Sequence, residues 1–230
     1  MTAHAVTRHE IFQTSLISAL VQGVYEDEMT LAELLGHGSF GIGTFNGLDG
    51  EMIILGGVCY RLRGDGSVSV PELTERTPYA VVTNFVPSLG RSFTGPMTRE
   101  EFSRAVDAFV PSSNYMYALR VTGRFAWASA RTVTKQDRPY RPMVEATDGE
   151  EIGFRTPLYE SGISVAGCHA HIINDDRTWG GHLVDFVLEE GEAELCLGTD
   201  FRMRLPLTEE FRTADLSEDK TEEIRRVEHH

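Results

Sequence analysis

The stretch Gly167–Leu188, GCHAHIINDDRTWGGHLVDFVL, decides the fold. Apolar and β-branched residues dominate its two flanks, and the segment Asn174–Gly181 between them consists of residues typical of turns. The sequence therefore predicts a β-hairpin in which the strands Ile163–Ile173 and His182–Leu188 pair across this turn.

Three histidines lie in this hairpin. His169 and His171 are two residues apart in one strand, so their side chains project from the same face. His182 begins the next strand, and the turn brings it back beside the first pair. Three imidazoles on adjacent strands, with a fourth position left open, are typical of catalytic zinc. Ordinary sheet histidines are the alternative interpretation, and Cys168 should face away from the cluster.

The remainder of the chain is rich in strand patterns and poor in helices. Two capping boxes, Thr30–Glu33 and Thr98–Glu101, predict short helices, and the tail from Thr208 is charged and weakly helical. This pattern predicts an α+β fold with antiparallel or mixed sheets, built as two sheet-rich lobes with few short helices and the metal site on a β-hairpin. Further strands are expected at Glu51–Leu55, Val58–Leu62, Pro78–Val86, Tyr115–Trp127 (as strand pairs), Glu192–Leu197 and Phe201–Leu205.

Length and charge limit the possible classes of protein. A chain of 230 residues fits one unit, 1–230, with lobes at 1–111 and 114–230 separated near Pro111–Asn114. The formal net charge of −14 argues against a nucleic-acid partner, because no basic field attracts a phosphate backbone. An anionic substrate would have to be held by locally placed cations.

The positions of the cysteines and the composition of the N-terminal residues predict a cytoplasmic protein. Cys59, Cys168 and Cys196 are scattered and form no CxxC motif, which favours free thiols in a reducing compartment. No apolar run typical of a secretory signal or a membrane span occurs. His229 and His230 end the chain and are consistent with a purification-tag remnant.

Three charged residues outside the histidine cluster are candidates for chemistry. Glu51 directly follows a turn and starts a strand, and Arg131 begins a basic, proline-punctuated loop that extends to Pro142. Asp185 lies three residues after His182, hence on the opposite strand face, and is interpreted as structural. The glycines around Gly43 match neither the Walker nor the Rossmann pattern, so no nucleotide site is predicted.

Four ordered motifs resemble those of the α-acetolactate decarboxylase family. They extend over nearly the whole chain, from about Ile11 to the C-terminus. The motifs are Gly43–Met52 (GTFNGLDGEM), Arg131–Tyr140 (RTVTKQDRPY), Gly167–His171 (GCHAH) and Gly180–Phe186 (GGHLVDF).

The resemblance implies a two-lobed α/β fold and a cytoplasmic carboxy-lyase of acetoin and butanediol biosynthesis. Its substrate would be (S)-2-acetolactate, a small anionic 2-hydroxy-3-oxo acid, and its products (R)-acetoin and CO2. The resemblance implies Zn2+ held by His169, His171 and His182. Family positions also carry over to Thr44, Glu51, Arg131 and Glu228.

The expected chemistry follows from the substrate. Loss of CO2 leaves two electrons on the α-carbon, and a divalent metal acts as the Lewis-acid sink for the enediolate. Arg131 would hold the departing carboxylate. Glu51 or Glu228 would then protonate one face of the carbon, with Glu51 favoured because its surroundings are more rigid. No thiamine or pyridoxal cofactor is needed, since the substrate carries its own ketone.

Other classes of protein remain open from the residues alone. These are another lyase or hydratase with zinc on three histidines, a cupin-like metal oxygenase, and a non-enzymatic zinc-stabilised binding module. Against the cupin, Asn174 and Asp175 occupy positions where a Glu ligand would be expected. Exposed sheet edges suggest a homodimer formed by edge pairing, and no membrane partner is expected.

Overall fold

Two β-sheets packed against each other make up the fold. The computed structural model describes residues 9–132 and 143–229, the last three of these by backbone alone. The elements in chain order are β1 (Glu10–Thr14), α1 (Ile17–Val21), α2 (Leu31–Leu35), β2 (Phe40–Thr44), a 3-10 turn (Asn46–Leu48), β3 (Glu51–Leu55), β4 (Val58–Leu62), β5 (Val68–Ser69), β6 (Ala80–Thr83), β7 (Leu89–Thr98), α3 (Arg99–Asp107), β8 (Met116–Arg131), β9 (Met143–Thr156), a second 3-10 turn (Leu158–Glu160), β10 (Gly167–Asn174), β11 (Gly180–Gly198), β12 (Asp200–Arg204), α4 (Glu209–Thr213) and α5 (Thr221–His229).

The two sheets differ in strand order, and among the described residues only in the second does an extra strand pairing join two strands that are not neighbours in this order. The first has seven strands in the order β12-β1-β6-β2-β3-β4-β5, with β12 parallel to β1. The second is antiparallel and has five strands in the order β10-β9-β8-β11-β7. An additional pairing joins β10 back to β11, so the strands that carry the three histidines are neighbours.

Alternation along the strands gives each sheet two apolar faces. One core lies between the sheets, where Ile42 and Ile53 of the first sheet join Ile152 and Ile173 of the second. The opposite face of the second sheet packs on α3, and the opposite face of the first packs on α2. Glu51 is two residues before Ile53, and His171 is two before Ile173, so both side chains point into the space between the sheets.

The predicted fold class is confirmed: the protein is α+β, dominated by sheets, with few and short helices. Both predicted capping boxes are present. The hydroxyls of Thr30 and Thr98 accept hydrogen bonds from the amides of Glu33 and Glu101, whose carboxylates bond back to the threonine amides. Residues 10–25 form β1 followed by α1.

Two segments predicted as interrupted strands are continuous. The sequence predicts strand pairs in Tyr115–Trp127, but all of these residues after Tyr115 lie in the single strand β8, which runs from Met116 to Arg131. The strands expected at His182–Leu188 and Glu192–Leu197 are both parts of β11. Gly123 and Gly191, which resemble turn residues in sequence, are register partners in mid-sheet. A Cβ at Gly123 would lie 2.3 Å from the carbonyl oxygen of Glu190, so glycine permits the strands to approach closely there.

The long strands β7 and β9 have no counterpart in the sequence prediction. The edge strand β7 is mostly exposed and lacks apolar alternation, and β9 is rich in acidic residues. Strand β7 belongs to the second sheet and β12 to the first, so the sheets do not divide the chain at the expected boundary of 111–114. The division into lobes 1–111 and 114–230 stays a prediction.

Candidate active site

The hairpin places the three histidines at one point between the sheets. His171 and His182 are register partners across β10 and β11, as the sequence predicts, and His169 lies two residues before His171. Their ring centroids are 5.0 to 5.4 Å apart, and one nitrogen of each lies within 4.8 Å of the others. All three are buried. Side chains from facing positions of a hairpin thus form one cluster of ligand atoms.

The turn before His182 is shaped by side-chain hydrogen bonds and a close backbone approach. The Asn174 side-chain oxygen accepts from the amides of Thr178 and Trp179, each at 2.9 Å. A Cβ at Gly180 would lie 2.3 Å from the carbonyl oxygen of Ile172. Glycine is therefore required for β11 to meet β10 where the histidines face each other.

His171 is held in one tautomer by the first sheet. Its Nδ1 lies 2.9 Å from the carbonyl oxygen of Met52. A carbonyl only accepts, so Nδ1–H donates and Nε2 keeps its lone pair. Burial lowers the pKa of His171 well below its usual value, helped by neighbouring His169 and Arg131 and opposed by the bond to Met52. The ring is thus neutral and ready to act as a ligand.

Glu51 contributes a carboxylate directly beside this ring. It is the first residue of β3 and is 3% exposed, and its Oε2 lies 3.5 Å from Nε2 of His171. Thr44 is its register partner on β2, and the Thr44 hydroxyl donates to the carbonyl of Gly50 at 2.8 Å. This bond ties β2 to the residue preceding Glu51 and fixes where the carboxylate emerges.

Arg131 ends β8 as the register partner of His182. Facing residues of an antiparallel pair project from the same side, so the guanidinium belongs to the histidine face. It is only 7% exposed. Sequence analysis placed Arg131 at the start of a loop; the structure places it in the strand. Most of the loop and of the motif Arg131–Tyr140, residues 133–142, lies outside the described residues.

The donor set fits a divalent metal ion. Three neutral imidazoles are the typical ligands of an open zinc site, and imidazole also suits other transition metals. The lone pair of His171 Nε2 faces a carboxylate oxygen at 3.5 Å. Two such electron-rich atoms are compatible when a cation or a proton lies between them. His169, His171 and His182 could therefore hold the metal, with Glu51 beside it.

A cavity of about 140 Å³ connects these residues with an apolar wall. Thr44, Glu51, Arg131 and the three histidines line it. So do residues that sequence analysis did not identify, namely Ile17, Leu20, Val21, Tyr25, Leu48, Tyr79 and Glu223. Helix α5, which carries Glu223, packs on the inter-sheet core through Ile224. The amphipathic spacing of α5 is the sequence signal that could have identified Glu223. The short α1 offers no such signal for its lining residues.

Two of the remaining candidates lie away from the histidine cluster. Asp185 is exposed and lines a different cavity together with Cys168, so neither belongs to the histidine cluster. This agrees with the expectation that both face away. Glu228 lies in α5, one helical turn after Ile224, but its side chain is outside the described residues. The three cysteines are free thiols, as predicted.

The comparison with protein families agrees with this geometry. Residues 11–218 match the family model described as alpha-acetolactate decarboxylase. The chain belongs to the α-acetolactate decarboxylase family. It is thereby a member of a family of carboxy-lyases.

Individual relatives extend the same likeness along the chain. The alpha-acetolactate decarboxylase of Klebsiella aerogenes is 47% identical over 79% of this chain and 74% of its own length. That of Methylococcus capsulatus is 41% identical over 96% of this chain and 89% of its own length. The crystal structure of alpha-acetolactate decarboxylase from Bacillus subtilis superposes with a TM-score of 0.93 at 34% identity, covering 96% of this chain and all of that one.

None of the helices in the described ranges combines the length and the apolar character needed to cross a membrane.

Proposed function

We propose that this protein decarboxylates (S)-2-acetolactate to (R)-acetoin and CO2, with Zn2+ held by His169, His171 and His182. The observation that carries the proposal is the convergence of three buried imidazoles with Arg131 and Glu51 in one cavity, in a member of this family. When bound, the metal supplies a Lewis acid for the negative charge that develops on the ketone oxygen as CO2 leaves.

Arg131 binds the carboxylate of the substrate. It is the register partner of His182 and lines the cavity, so its guanidinium lies within the compartment that also holds the histidines. A planar guanidinium can bind a carboxylate through two parallel hydrogen bonds. This local cation also offsets the repulsion that a protein of net charge −14 exerts on an anion.

Glu51 donates the proton that replaces the lost CO2. A chiral product requires that the proton reach one face of the carbon, and this is easiest from a group fixed in position. Glu51 is 3% exposed, and the bond between Thr44 and Gly50 fixes the start of its strand. Its proximity to His171 Nε2 puts the carboxyl next to the metal ligands. We assign Glu228, on the last helix, to closing the site and orienting the substrate.

We also propose that the protein acts in the cytoplasm as a homodimer, in acetoin and butanediol biosynthesis. Among the described residues, the edge strands β12, β5 and β7 offer unpaired backbone groups through which two copies could join. Size-exclusion chromatography with light scattering should give twice the chain mass of 25.6 kDa; a monomer at micromolar concentration would contradict this part.

The experiment for the activity follows both products. Purified zinc-loaded protein is incubated with racemic acetolactate, and CO2 and acetoin are measured together with the acetoin enantiomer. We expect equal amounts of CO2 and acetoin, with the acetoin as a single enantiomer. Both products should form faster than in buffer without protein. Zinc binding without acetoin formation would favour a zinc-stabilised binding module, and oxygen consumption with iron or manganese would favour an oxygenase.

A further inference from the structure

Leu48 lies in a backbone conformation that a leucine rarely adopts. Its φ is 56°, in the left-handed region, although it carries a branched side chain. It ends the 3-10 turn Asn46–Leu48 between β2 and β3, the two strands that present Thr44 and Glu51. Strained residues of this kind persist where the surrounding structure fixes them, and they concentrate at functional sites.

Hydrogen bonds from distant parts of the chain hold this turn. The amide of Asn46 donates to the carbonyl of Arg76 at 3.0 Å, and the amide of Gly47 donates to the carbonyl of Tyr25 at 2.8 Å. The side chain of Asn46 exchanges two hydrogen bonds with the backbone of Asp27, at 3.0 and 3.2 Å. The turn is thus fixed immediately before Leu48, and this leucine cannot relax without breaking these contacts.

The Leu48 side chain lines the active-site cavity together with α1. Leu20 and Val21 of this helix pack against the inter-sheet core but stay only partly buried, because they also face the cavity. The amides of Ile17 and Ser18, in the first turn of α1, donate to the carbonyls of Ile163 and Gly162 at 3.0 and 3.2 Å. The wall is therefore anchored to the segment that leads into the histidine strand.

We propose that Leu48, backed by Leu20 and Val21, forms the subsite for the alkyl group on C2 of the substrate and sets the largest group that the enzyme accepts. The inference rests on the proposed function. Arg131 would bind the carboxylate of acetolactate, and the metal held by the three histidines would supply a Lewis acid for its other oxygen atoms, which leaves the apolar substituents for the apolar lining. The left-handed conformation at Leu48 is retained because it directs this side chain into the cavity.

Size discrimination tests the subsite. The ratio of kcat/KM for the 2-ethyl homologue to kcat/KM for acetolactate is measured in wild type, Leu48→Ala and Leu48→Gly. One methylene in an apolar pocket discriminates by roughly 10-fold or more, so both variants should raise the ratio by about 10-fold. Glycine adopts this φ without strain, so the Leu48→Gly variant guards against a folding failure of the Leu48→Ala variant. A ratio within about twofold of wild type in a folded variant would overturn the proposal.

Ala146→Gly is the matched control. Ala146 also has a positive φ, 46°, but it is exposed and does not line the cavity. This substitution relieves left-handed strain without enlarging the site, so the ratio should stay at the wild-type value. A ratio that rises equally in the Ala146→Gly variant would mean that relief of strain, and not the subsite, controls specificity, which would overturn the proposal.

A binding measurement separates this proposal from the proposed function. Calorimetry with two unreactive acids that differ by one methylene on C2, 2-hydroxy-2-methylpropanoate and 2-hydroxy-2-methylbutanoate, gives their relative affinity without turnover. If acetolactate is not consumed but Leu48→Ala shifts this relative affinity towards the ethyl compound, the decarboxylase assignment fails and the subsite stands. If acetolactate is consumed and neither the relative affinity nor the rate ratio changes, the subsite fails alone.

Discussion

Replacing Glu151 by glutamine should stabilise the protein at high pH and have much less effect at low pH. Glu151 lies on β9 and is 2% exposed, and its Oε2 has no hydrogen-bond partner within the described part of the chain. Burial raises the pKa of this carboxyl from 4.5 to about 7, against the opposing effect of Arg99. An ionised carboxylate at this position therefore costs free energy of folding.

The size and pH range of the effect follow from proton linkage. Between the ordinary pKa of 4.5 and the folded-state pKa of about 7, the folded state binds more protons than the unfolded state. Stability is therefore lost as pH rises through this range, and the full loss is present above it. The difference between a pKa of about 7 in the folded state and 4.5 in the unfolded state corresponds to about 3 kcal/mol of stability, of which about 1 kcal/mol has already been lost at pH 5.

The stability cost of ionised Glu151 is measured by thermal unfolding of wild type and the Glu151→Gln variant at pH 5 and pH 8. The advantage of the variant should grow by about 2 kcal/mol between the two pH values, or roughly 4–8 °C in Tm for a chain of this length. Glu145→Gln is the control, since Glu145 is exposed on the same strand and its replacement changes the net charge equally. An equal Tm difference between wild type and the Glu151→Gln variant at both pH values would refute the reasoning.

Further predictions concern the site itself. Arg131→Ala should leave the bound metal in place but lower kcat/KM by roughly 30- to 5000-fold, because truncating one partner of a buried charge pair costs about 2–5 kcal/mol. Arg131→Lys should restore part of the lost activity. A decrease in kcat/KM of less than about threefold in the Arg131→Ala variant would remove Arg131 from the site. Glu51→Gln should retain metal and substrate binding but lose most turnover. Deletion of the residues from Glu228 onward should weaken activity less. The two roles would be reversed if the Glu51→Gln variant gave a single acetoin enantiomer at a near-normal rate and the truncated enzyme gave racemic acetoin. Gly180→Ala should lower both Tm and metal content, because the new Cβ would lie 2.3 Å from the Ile172 carbonyl oxygen. The control Gly90→Ala should change neither, because no atom lies nearer than 3.9 Å to the new Cβ. Unchanged metal content in the Gly180→Ala variant would show that the hairpin tolerates the added methyl group.

The histidine cluster could be predicted from sequence because its geometry is local. A period of two in one strand and a turn of recognisable residues suffice to bring His182 beside His171, and the structure has this pairing. The capping boxes at Thr30 and Thr98 are equally local, since each involves residues three apart. Local rules of this kind do not depend on the rest of the fold.

The long-range contacts that complete the site could not be derived in the same way. The carbonyl of Met52 that fixes the His171 tautomer is 119 residues away in sequence. Leu48 shows no sequence signal for a left-handed backbone, because the hydrogen bonds of its neighbours Asn46 and Gly47 to Arg76 and Tyr25 fix the turn. Strand β9 was missed because residues 149–154 are all buried, so exposed and buried positions do not alternate there, and because two of these residues, Glu150 and Glu151, are acidic.

The central claim is that a metal held by the three histidines is required for acetolactate decarboxylation. The most direct measurement is metal content by mass spectrometry, with acetoin formation before chelation, after chelation and after readdition of Zn2+, in wild type and in the His171→Ala variant. We predict about one zinc per chain in wild type, loss of activity on chelation and its return with Zn2+, and neither metal nor activity in the variant. Full decarboxylase activity in a metal-free preparation would contradict the account.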